Sequence, residues 1–359
     1  MDLSLARGGR YARAGARWAR LLVSGTTAPG LRVFYGHDRI PEPGDPAAGG
    51  TAKLQKLAER FPNSPADFTL LYLGNTYLPR DLRALLWLAR RRGIPILVNQ
   101  NGVGYPGWAG ARTEEVNRPL RRVLLAADHV VYQSAFSKRS SDLFLGEPRG
   151  TWEILHNAVD TRVFTPAEHR PDDGPILLLG GDQTQQYRLE LALETFANVL
   201  RTRPSARLVV GGRLVSDPRP TLARLGIEEH VTFLGRYSQR AAPEVYRGAH
   251  LLLHSKVNDP CPTVVVEAMA CGLPVVYAAS GGTVELVADE GGVGVPHPET
   301  WDRDQPPAPE ALADAVDLVL ADLRRYSAAA RARVVERFSL EPWLHRHAEL
   351  FAQLLGRGA

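Results

Sequence analysis

The sequence predicts an α/β protein built from two doubly wound, Rossmann-like parallel sheets, one in each half of the chain. Its 359 residues exceed the roughly 100–200 residues that a single domain usually takes. Short apolar runs alternate with amphipathic stretches in both halves, which is typical of parallel strands joined by helices. A polar segment at residues 169–175 interrupts this alternation. We therefore expect two domains that face each other across a deep cleft.

The first half, residues 1–168, contains five apolar runs that we interpret as strands. They are Leu31–Tyr35, Phe68–Leu73, Ile94–Asn99, His129–Ser134 and Trp152–Leu155. The amphipathic stretches between them predict helices at Gly50–Phe61, Asp81–Arg92, Asn117–Ala127 and Ser137–Leu145. This half is therefore expected to be one Rossmann-like domain.

A second series of strands fills residues 176–340, directly after the linker at 169–175. Its strands are predicted at Ile176–Leu179, Arg207–Val210, Val231–Leu234, His250–His254 and Pro274–Ala278. The final segment, residues 341–359, is expected to form a helix that packs back toward the first domain. In open parallel sheets ligands bind outside the carboxyl ends of the strands, so the cleft between the sheets is the expected binding site.

The composition argues against a membrane-spanning protein and against a protein that mainly binds nucleic acid. Hydrophobic residues make up 44% of the chain and charged residues 23%, and no apolar run reaches the roughly 20 residues of a membrane-spanning helix. The formal charge of +4 is small for this length and does not favour nucleic acid as the main partner. Two cysteines, Cys261 and Cys271, are expected to be buried thiols, which favours the cytoplasm.

The N-terminal segment lacks the charge-then-apolar order of a signal peptide. It instead places basic residues three and four positions apart, so that they share one side of a helix: Arg7, Arg10, Arg13, Arg17 and Arg20. One interpretation is an interfacial helix that gives peripheral contact with the inner face of a membrane. The favoured alternative is a solvated basic face whose aromatic residues pack on the first domain.

The most informative stretch surrounds Asp259 and Glu267. A strand ends at Ser255, a loop bounded by prolines carries Asp259, and a helix is predicted to start near Thr263. The free N–H groups and the dipole of such a helix end favour an anion. Glu267 lies about one turn into this helix, where its carboxylate can accept hydrogen bonds from the paired hydroxyls of a ribose. The segment thus predicts a nucleotide site.

This stretch resembles the signature of glycosyltransferase family 4, also called glycosyl transferases group 1. Asp259 is followed after seven residues by Glu267, and the chain continues with the Ala268–Val276 run AMACGLPVV. Supporting blocks occur in the family's order at Gly49-Gly50, Asn157–Asp160, Phe164–Pro166, Val231–Gly235 and Ser280–Glu285. The resemblance spans nearly the whole chain and is strongest over 207–287. It implies the two-domain GT-B fold and a retaining glycosyltransferase that uses a nucleoside-diphosphate sugar.

The resemblance also implies roles for individual residues. Asp259 would contact the hydroxyls of the donor sugar, where the family usually has Glu, and Glu267 would hold the ribose. Gly235 and its neighbours would meet the base. The positions expected to bind the donor are Gly49, Gly50, Gly235, Lys256, Pro262, Thr263, Val264, Gly281 and Gly282.

Two departures from the family pattern change the expected site. The family carries an Arg and, five residues later, a Lys against the diphosphate, but this chain has Asp182 and Tyr187 there. Arg188 is the expected replacement, with Lys256 as a second candidate, although an ordinary place on the helix surface remains open for Arg188.

On the acceptor side, the family's histidine is replaced by Asn101. Asn101 and His37 are the candidates for contact with the acceptor. The alternative for Asn101 is a helix- or loop-capping role, and the alternative for His37 is a hydrogen-bonded position at the rim.

The implied mechanism needs neither a metal nor a cofactor. The acceptor hydroxyl attacks the same face of the sugar from which the phosphate leaves, and that phosphate takes its proton. The acceptor is left open as a glycan, a lipid-linked molecule or a small molecule. The alternatives are an inactive nucleotide-sugar-binding protein, because the Arg/Lys pair is missing, and a nucleotide-sugar 2-epimerase of the same fold.

Two further motifs are discounted. Gly102–Gly107 matches a dinucleotide fingerprint, but Pro106 is expected to delay the helix that such a loop requires, so we interpret it as an acceptor-side loop. Asp302–Asp304 resembles a metal-binding triplet but is expected to be solvated.

Overall fold

A computed structural model describes residues 30–42, 44–45 and 49–356. The basic segment with Arg7–Arg20 lies outside these residues, so both of its interpretations remain open. In the described part of the chain, no helix combines the length and apolar character needed to cross a bilayer. Cys261 and Cys271 are buried and unpaired, as predicted.

The first sheet has five parallel strands in the order β1-β2-β3-β4-β5, and all five were predicted. The strands are β1 Val33–Phe34, β2 Leu70–Gly74, β3 Ile96–Gln100, β4 His129–Tyr132 and β5 Thr151–Ile154. The helices among them are α1 Gly49–Arg60, α2 Leu82–Arg92, α3 Pro106–Ala109, α4 Thr113–Ala126 and α5 Ala135–Phe144. Helix α3 corrects the expectation that Pro106 delays a helix, since proline suits the first helical position.

The second sheet has six parallel strands in the order β11-β10-β9-β6-β7-β8. Its strands are β6 Ile176–Leu179, β7 Arg207–Gly211, β8 Val231–Gly235, β9 Leu251–His254, β10 Val275–Ala278 and β11 Gly292–Val295. Its helices are α6 Gln186–Thr202, α7 Arg219–Leu225, α8 Ala242–Arg247, α9 Thr263–Ala270, α10 Thr283–Val287, α11 Pro309–Ala321 and α12 Leu323–Arg337. Strand β11 was not predicted, because alternating glycine and valine give no apolar run.

Helices cover both faces of each sheet. Buried leucines of α2 and α4 pack on one face of the first sheet. Leu54 and Leu57 of α1 cover the other face together with the last helix, α13 Leu340–Leu354. Phe351 of α13 is fully buried, and its ring lies 4.9 Å from that of Phe61. The C-terminal helix therefore packs on the sheet formed by the first part of the chain.

The strand order of the second sheet reverses where β6 lies beside β9. The connections leaving these two strands run in opposite directions, so a crevice opens between their carboxyl ends. The glycine pair Gly180-Gly181 follows β6 and Ser255 follows β9. This crevice faces the first sheet.

Side chains and loops join the two halves around the crevice. Glu285 in α10 accepts hydrogen bonds from the N–H groups of Ala135 and Phe136, at 2.8 and 2.9 Å, and so caps α5 from across the cleft. The ring of Trp301 stacks on Phe136 at 5.3 Å. The prediction that the Asp302–Asp304 triplet is solvated is wrong for Asp304. This carboxylate is partly buried and accepts hydrogen bonds from two side chains, those of Tyr105 and Gln185.

Candidate active site

A cavity of about 560 Å³ lies between the two halves, at the carboxyl ends of β6 and β9. The first half contributes Gly50, Tyr77 and Asn101 to its wall, and the second half contributes most of the polar groups. Those groups include Asp182, Arg188, Arg236, Lys256, Asp259, Thr263 and Glu267. The structure thus brings together most of the residues that the sequence predicts for the site.

Glu267 lies one turn into α9 and lines the cavity, although its side chain is only 1% exposed. Its Oε2 atom accepts a hydrogen bond of 2.9 Å from the Tyr246 hydroxyl. Its Oε1 atom is buried and has no hydrogen-bond partner among the described residues. Burial raises the pKa of Glu267, against the opposing charge of Lys56. An unpaired buried carboxylate oxygen is costly, so this atom is ready to accept a hydrogen bond from a ligand hydroxyl.

The first turn of α9 also opens onto the cavity. Pro262, Thr263 and Val264 all line it, and no side chain caps the helix start. The N–H groups of a first helical turn have no partner within the helix, and the helix dipole adds positive potential there. This end of α9 is therefore suited to an anion such as a phosphate.

Asp259 lies beside the helix start with two basic neighbours. Its Oδ2 atom is 3.1 Å from Lys256 Nζ and 3.5 Å from His254 Nε2. Burial alone would raise the pKa of Asp259, but Lys256, His254 and Arg188 outweigh burial and lower it. Asp259 is therefore ionised at neutral pH, and Lys256 is held at the cavity wall.

Arg188 is not a surface residue, because its side chain is only 5% exposed and lines the cavity. Helix α6 begins at Gln186, which places Arg188 in its first turn. Its Nη1 atom donates to the Asp182 carbonyl at 2.8 Å, whereas its buried Nε atom has no partner among the described residues. Burial lowers the pKa of Arg188, opposed by Asp259.

Arg236 is a cavity residue that the sequence did not predict. It follows Gly235 and forms a two-point ion pair with Asp182, including a 3.2 Å contact from Nε to Oδ1. Asp182 occupies the place where the family has its Arg. The Asp at that place signals a changed charge arrangement, but no local pattern in the sequence pairs it with Arg236, which is 54 residues away.

The glycines at the cavity wall and around the loop at Asp259 act in two different ways. A Cβ on Gly50 would lie 2.2 Å from Thr76 Oγ1, so only glycine fits at this part of the cavity wall. A Cβ on Gly281 or Gly282 would collide with backbone oxygens of the loop at Asp259 and Pro260. These two glycines support that loop from outside and are not among the residues that line the cavity.

The remaining predicted positions lie at or beside the wall. Gly49 begins α1, and Gly235 precedes Arg236 with a left-handed φ of 67°. His37 does not line the cavity, but its ring stacks at 3.8 Å on Tyr77, which does. Asn101 lines the cavity directly, and its buried Oδ1 atom has no partner among the described residues.

A buried polar network, which the sequence did not predict, connects α1 to the loop between Asp259 and α9. Lys53 donates a 3.1 Å hydrogen bond to Asn99 Oδ1, which also accepts from Gln133. Gln133 accepts in turn from Asn157, whose amide donates at 2.8 Å to the carbonyl of Cys261. Burial lowers the pKa of Lys53 to about 7. The network fixes the position of the loop that leads into α9.

Two solved structures share this arrangement of sheets. HepE from Anabaena, solved with UDP and glucose, matches with a TM-score of 0.70 and 16% identity, over 90% of this chain and 100% of that one. Sucrose-phosphate synthase from Thermosynechococcus elongatus matches with a TM-score of 0.65 and 21% identity, over 81% of this chain and 75% of that one. The predicted GT-B fold is confirmed.

Residues 161–333 match the model of the family described as glycosyl transferases group 1, and they belong to that family, as predicted. A D-inositol 3-phosphate glycosyltransferase of Segniliparus rotundus is 34% identical over 280 residues, which cover 71% of this chain and 60% of the relative. One component of the phosphatidylinositol N-acetylglucosaminyltransferase of Arabidopsis thaliana is 27% identical over 205 residues, 56% of this chain and 45% of the relative. The chain spans about half the length of the first curated relatives it matches, at 45%, 42% and 51%.

Proposed function

We propose that this protein is a retaining glycosyltransferase, which moves a sugar from a nucleoside-diphosphate sugar to a hydroxyl group of an acceptor. The observation that carries the proposal is the unpartnered Oε1 atom of Glu267, buried in the cavity wall about one turn from the open end of α9. This spacing suits one molecule that bears a diol at one end and phosphates at the other. A nucleoside diphosphate has both features.

The diphosphate is proposed to lie against the first turn of α9. The side chains of Arg188, Arg236 and Lys256 line the same cavity and add positive charge to the backbone N–H groups. Phosphoryl oxygens gather charge as the bond to the sugar breaks, and preorganised donors stabilise that charge. These groups take the place of the family's Arg/Lys pair.

Asp259 is proposed to bind hydroxyls of the donor sugar, with Pro262, Thr263 and Val264 beside it. Because Asp259 is ionised, it can accept hydrogen bonds from a sugar and stabilise positive charge that develops at the anomeric carbon. Lys256 keeps its carboxylate in place. Gly50, Gly281 and Gly282 are proposed to shape the cavity and the loop around the donor.

The reaction is proposed to proceed on one face of the sugar. The bond from the anomeric carbon to the phosphate oxygen breaks, the acceptor oxygen bonds to the same carbon, and its proton passes to the departing phosphate. This step uses no metal and no cofactor. Asn101 and His37 are proposed to contact the acceptor, because they lie at or next to the wall formed by the first half.

The comparisons suggest which donor and which acceptor to test first. HepE, a neighbour in fold, was solved with UDP and glucose, which makes UDP-glucose the first donor to test. The names of several relatives refer to D-inositol 3-phosphate, which makes inositol phosphate the first small acceptor to test. Glycans and lipid-linked molecules follow as acceptors.

A thermal-shift screen with UDP-, GDP- and ADP-sugars tests donor binding, since a ligand that binds only the folded state raises its stability. We expect one nucleotide series to raise the melting temperature of the wild type, and to raise that of a Glu267→Gln variant by less at the same ligand concentration. A screen without any shift in the wild type would contradict the proposal. An inactive nucleotide-sugar-binding protein and a 2-epimerase are not favoured, because the relatives are named glycosyltransferases.

A further inference from the structure

A concave, arginine-lined surface lies far from the cavity described above. Its volume is about 840 Å³. We call it the arginine basin and define it by Arg90 of α2, Arg118, Arg121 and Arg122 of α4, and Arg149 before β5. Its remaining wall includes Asp128 and Gly150, which directly precede β4 and β5. The basin therefore lies at the amino ends of the strands of the first sheet, opposite the active-site edge.

The charge of the basin is only partly compensated. Arg121 forms a two-point ion pair with Glu114, and Arg90 lies 3.5 Å from the carboxylate of Asp128. Arg118, Arg122 and Arg149 have no ion pair or side-chain hydrogen bond among the described residues. Like charges gathered in a concave surface concentrate anions. Guanidinium groups suit phosphate oxygens, to which they can donate two hydrogen bonds at once.

Large apolar side chains are exposed around the same surface. Trp87 lies one turn before Arg90 on α2 and is 55% exposed. Leu143 is 60% exposed and precedes Phe144, whose carbonyl accepts a hydrogen bond from Arg121. Trp152 lies on the edge strand, three residues after Arg149 in the chain; it is 48% exposed, and one side of its ring packs against Lys138 and Tyr132. Exposed tryptophans beside arginines are typical of surfaces that enter the headgroup layer of a membrane.

We propose that the arginine basin docks this protein on a bilayer that contains anionic phospholipids, with lipid phosphates in the basin and Trp87, Leu143 and Trp152 in the interfacial layer. Charge complementarity and the exposed apolar border together favour a lipid surface over a free anion. A free anion would bind to the arginines but would leave the apolar side chains exposed to water. A nucleic acid would use the charges but needs a stacking platform within the basin. The proposal is independent of the sugar-transfer reaction and of the N-terminal segment.

Vesicle sedimentation with the full chain tests this docking. Vesicles of phosphatidylglycerol and phosphatidylcholine are compared with vesicles of phosphatidylcholine alone, at low and at physiological salt. The test variant is Arg118→Glu/Arg122→Glu/Arg149→Glu. The matched control is Arg201→Glu/Arg324→Glu/Arg337→Glu, which changes the formal charge equally on α6 and α12. Both variants keep the N-terminal arginines, so that segment contributes equally to each.

We expect the wild type and the control to bind the anionic vesicles and not the neutral ones. The basin variant should bind at least about 100-fold more weakly, since each of the three arginines contributes a factor of roughly five near an anionic surface and the introduced glutamates add repulsion. A Trp87→Ser variant should bind more weakly at physiological salt, where charge is screened.

Equal binding by the basin and control variants would overturn the proposal. So would weakening of oligonucleotide binding by the basin variant while its vesicle binding is unchanged. If the reversed variant does not fold, Arg118→Gln/Arg122→Gln/Arg149→Gln replaces it, and a folded Gln variant that binds as the wild type does would equally overturn the proposal.

Discussion

The carboxylate of Asp182 holds the guanidinium of Arg236 at the cavity wall, through two contacts of which one measures 3.2 Å. Asp182 occupies the place where the family has an arginine, and Arg236 comes from the loop after Gly235. A positive group is therefore present near that place, but a different strand supplies it. The sequence shows the missing arginine, whereas only the fold shows the substitute.

This ion pair leads to a prediction about charge placement. Arg236→Ala should reduce turnover, because the diphosphate loses a cation and Asp182 loses the guanidinium that pairs with its carboxylate. The double variant Asp182→Arg/Arg236→Ala should recover part of the activity, since it restores the family's arrangement. Steady-state kinetics with the donor varied will check both, with Arg213→Ala as the neighbouring control. Equal activity of Arg236→Ala and the wild type would remove Arg236 from the site.

Glu267 provides the second prediction. Glu267→Gln preserves the size of the side chain and an acceptor for Tyr246, but it places an amide N–H group where Oε1 would accept a hydrogen bond from a ribose. Donor affinity should fall about 10- to 100-fold, as expected when a hydrogen bond is lost and a buried polar group is left without a partner. Calorimetry measures this, and Tyr246→Phe serves as the control because it affects only the other oxygen. Unaltered affinity of Glu267→Gln would show that Glu267 does not hold the donor.

Arg188 is expected to act on the leaving group. Arg188→Ala should reduce turnover by about 100-fold or more, the scale of a lost transition-state donor worth roughly 3 kcal/mol. Arg188→Lys should recover part of this loss, because the charge returns without the planar fork. Since Arg188 is buried and donates a hydrogen bond to the Asp182 carbonyl, Arg188→Ala should also lower thermal stability. The assays are therefore run well below the melting temperature of this variant. If both Arg188 variants turn over like the wild type while Lys256→Ala loses turnover, then Lys256, and not Arg188, stabilises the leaving group.

Lys53 should make stability depend on pH. Its pKa is about 7 in the folded protein and about 10.4 when unfolded, so between these values only the unfolded chain holds the proton. The free energy of unfolding should therefore rise from pH 7 toward pH 10, by at most ~1.4 kcal/mol per pH unit. Urea unfolding of the wild type and of Lys53→Met will measure the difference. Parallel pH profiles for the two proteins would refute the low pKa.

Turnover should survive removal of divalent cations, if α9 and the cavity's basic side chains stabilise the leaving diphosphate. Assays after dialysis against EDTA, with and without added Mg²⁺ or Mn²⁺, measure this. An absolute requirement for a divalent metal would contradict the proposed mechanism.

The periodic pattern of the sequence predicted the fold well, because buried parallel strands are continuous apolar runs. It failed at β11, whose glycines are needed for close contact, since a Cβ on Gly292 would lie 1.9 Å from the Val275 carbonyl oxygen. Near the site, the motif identified Glu267 and the loop at Asp259. It could not identify Arg236 or the Lys53 network, because those contacts join segments distant in sequence and have no local signature.

NMR can follow sugar transfer directly, because it detects both products of the reaction, the released nucleotide and the new glycoside. The wild type is incubated with the nucleotide sugar that binds best and with a panel of glycan, lipid-linked and inositol phosphate acceptors. We predict that nucleotide release depends on the acceptor, that the new glycosidic bond has the anomeric configuration of the donor, and that Glu267→Gln forms both products more slowly at the same subsaturating donor concentration. A bound donor that yields no product with any acceptor, or a product of inverted configuration, would contradict retaining glycosyl transfer by this protein.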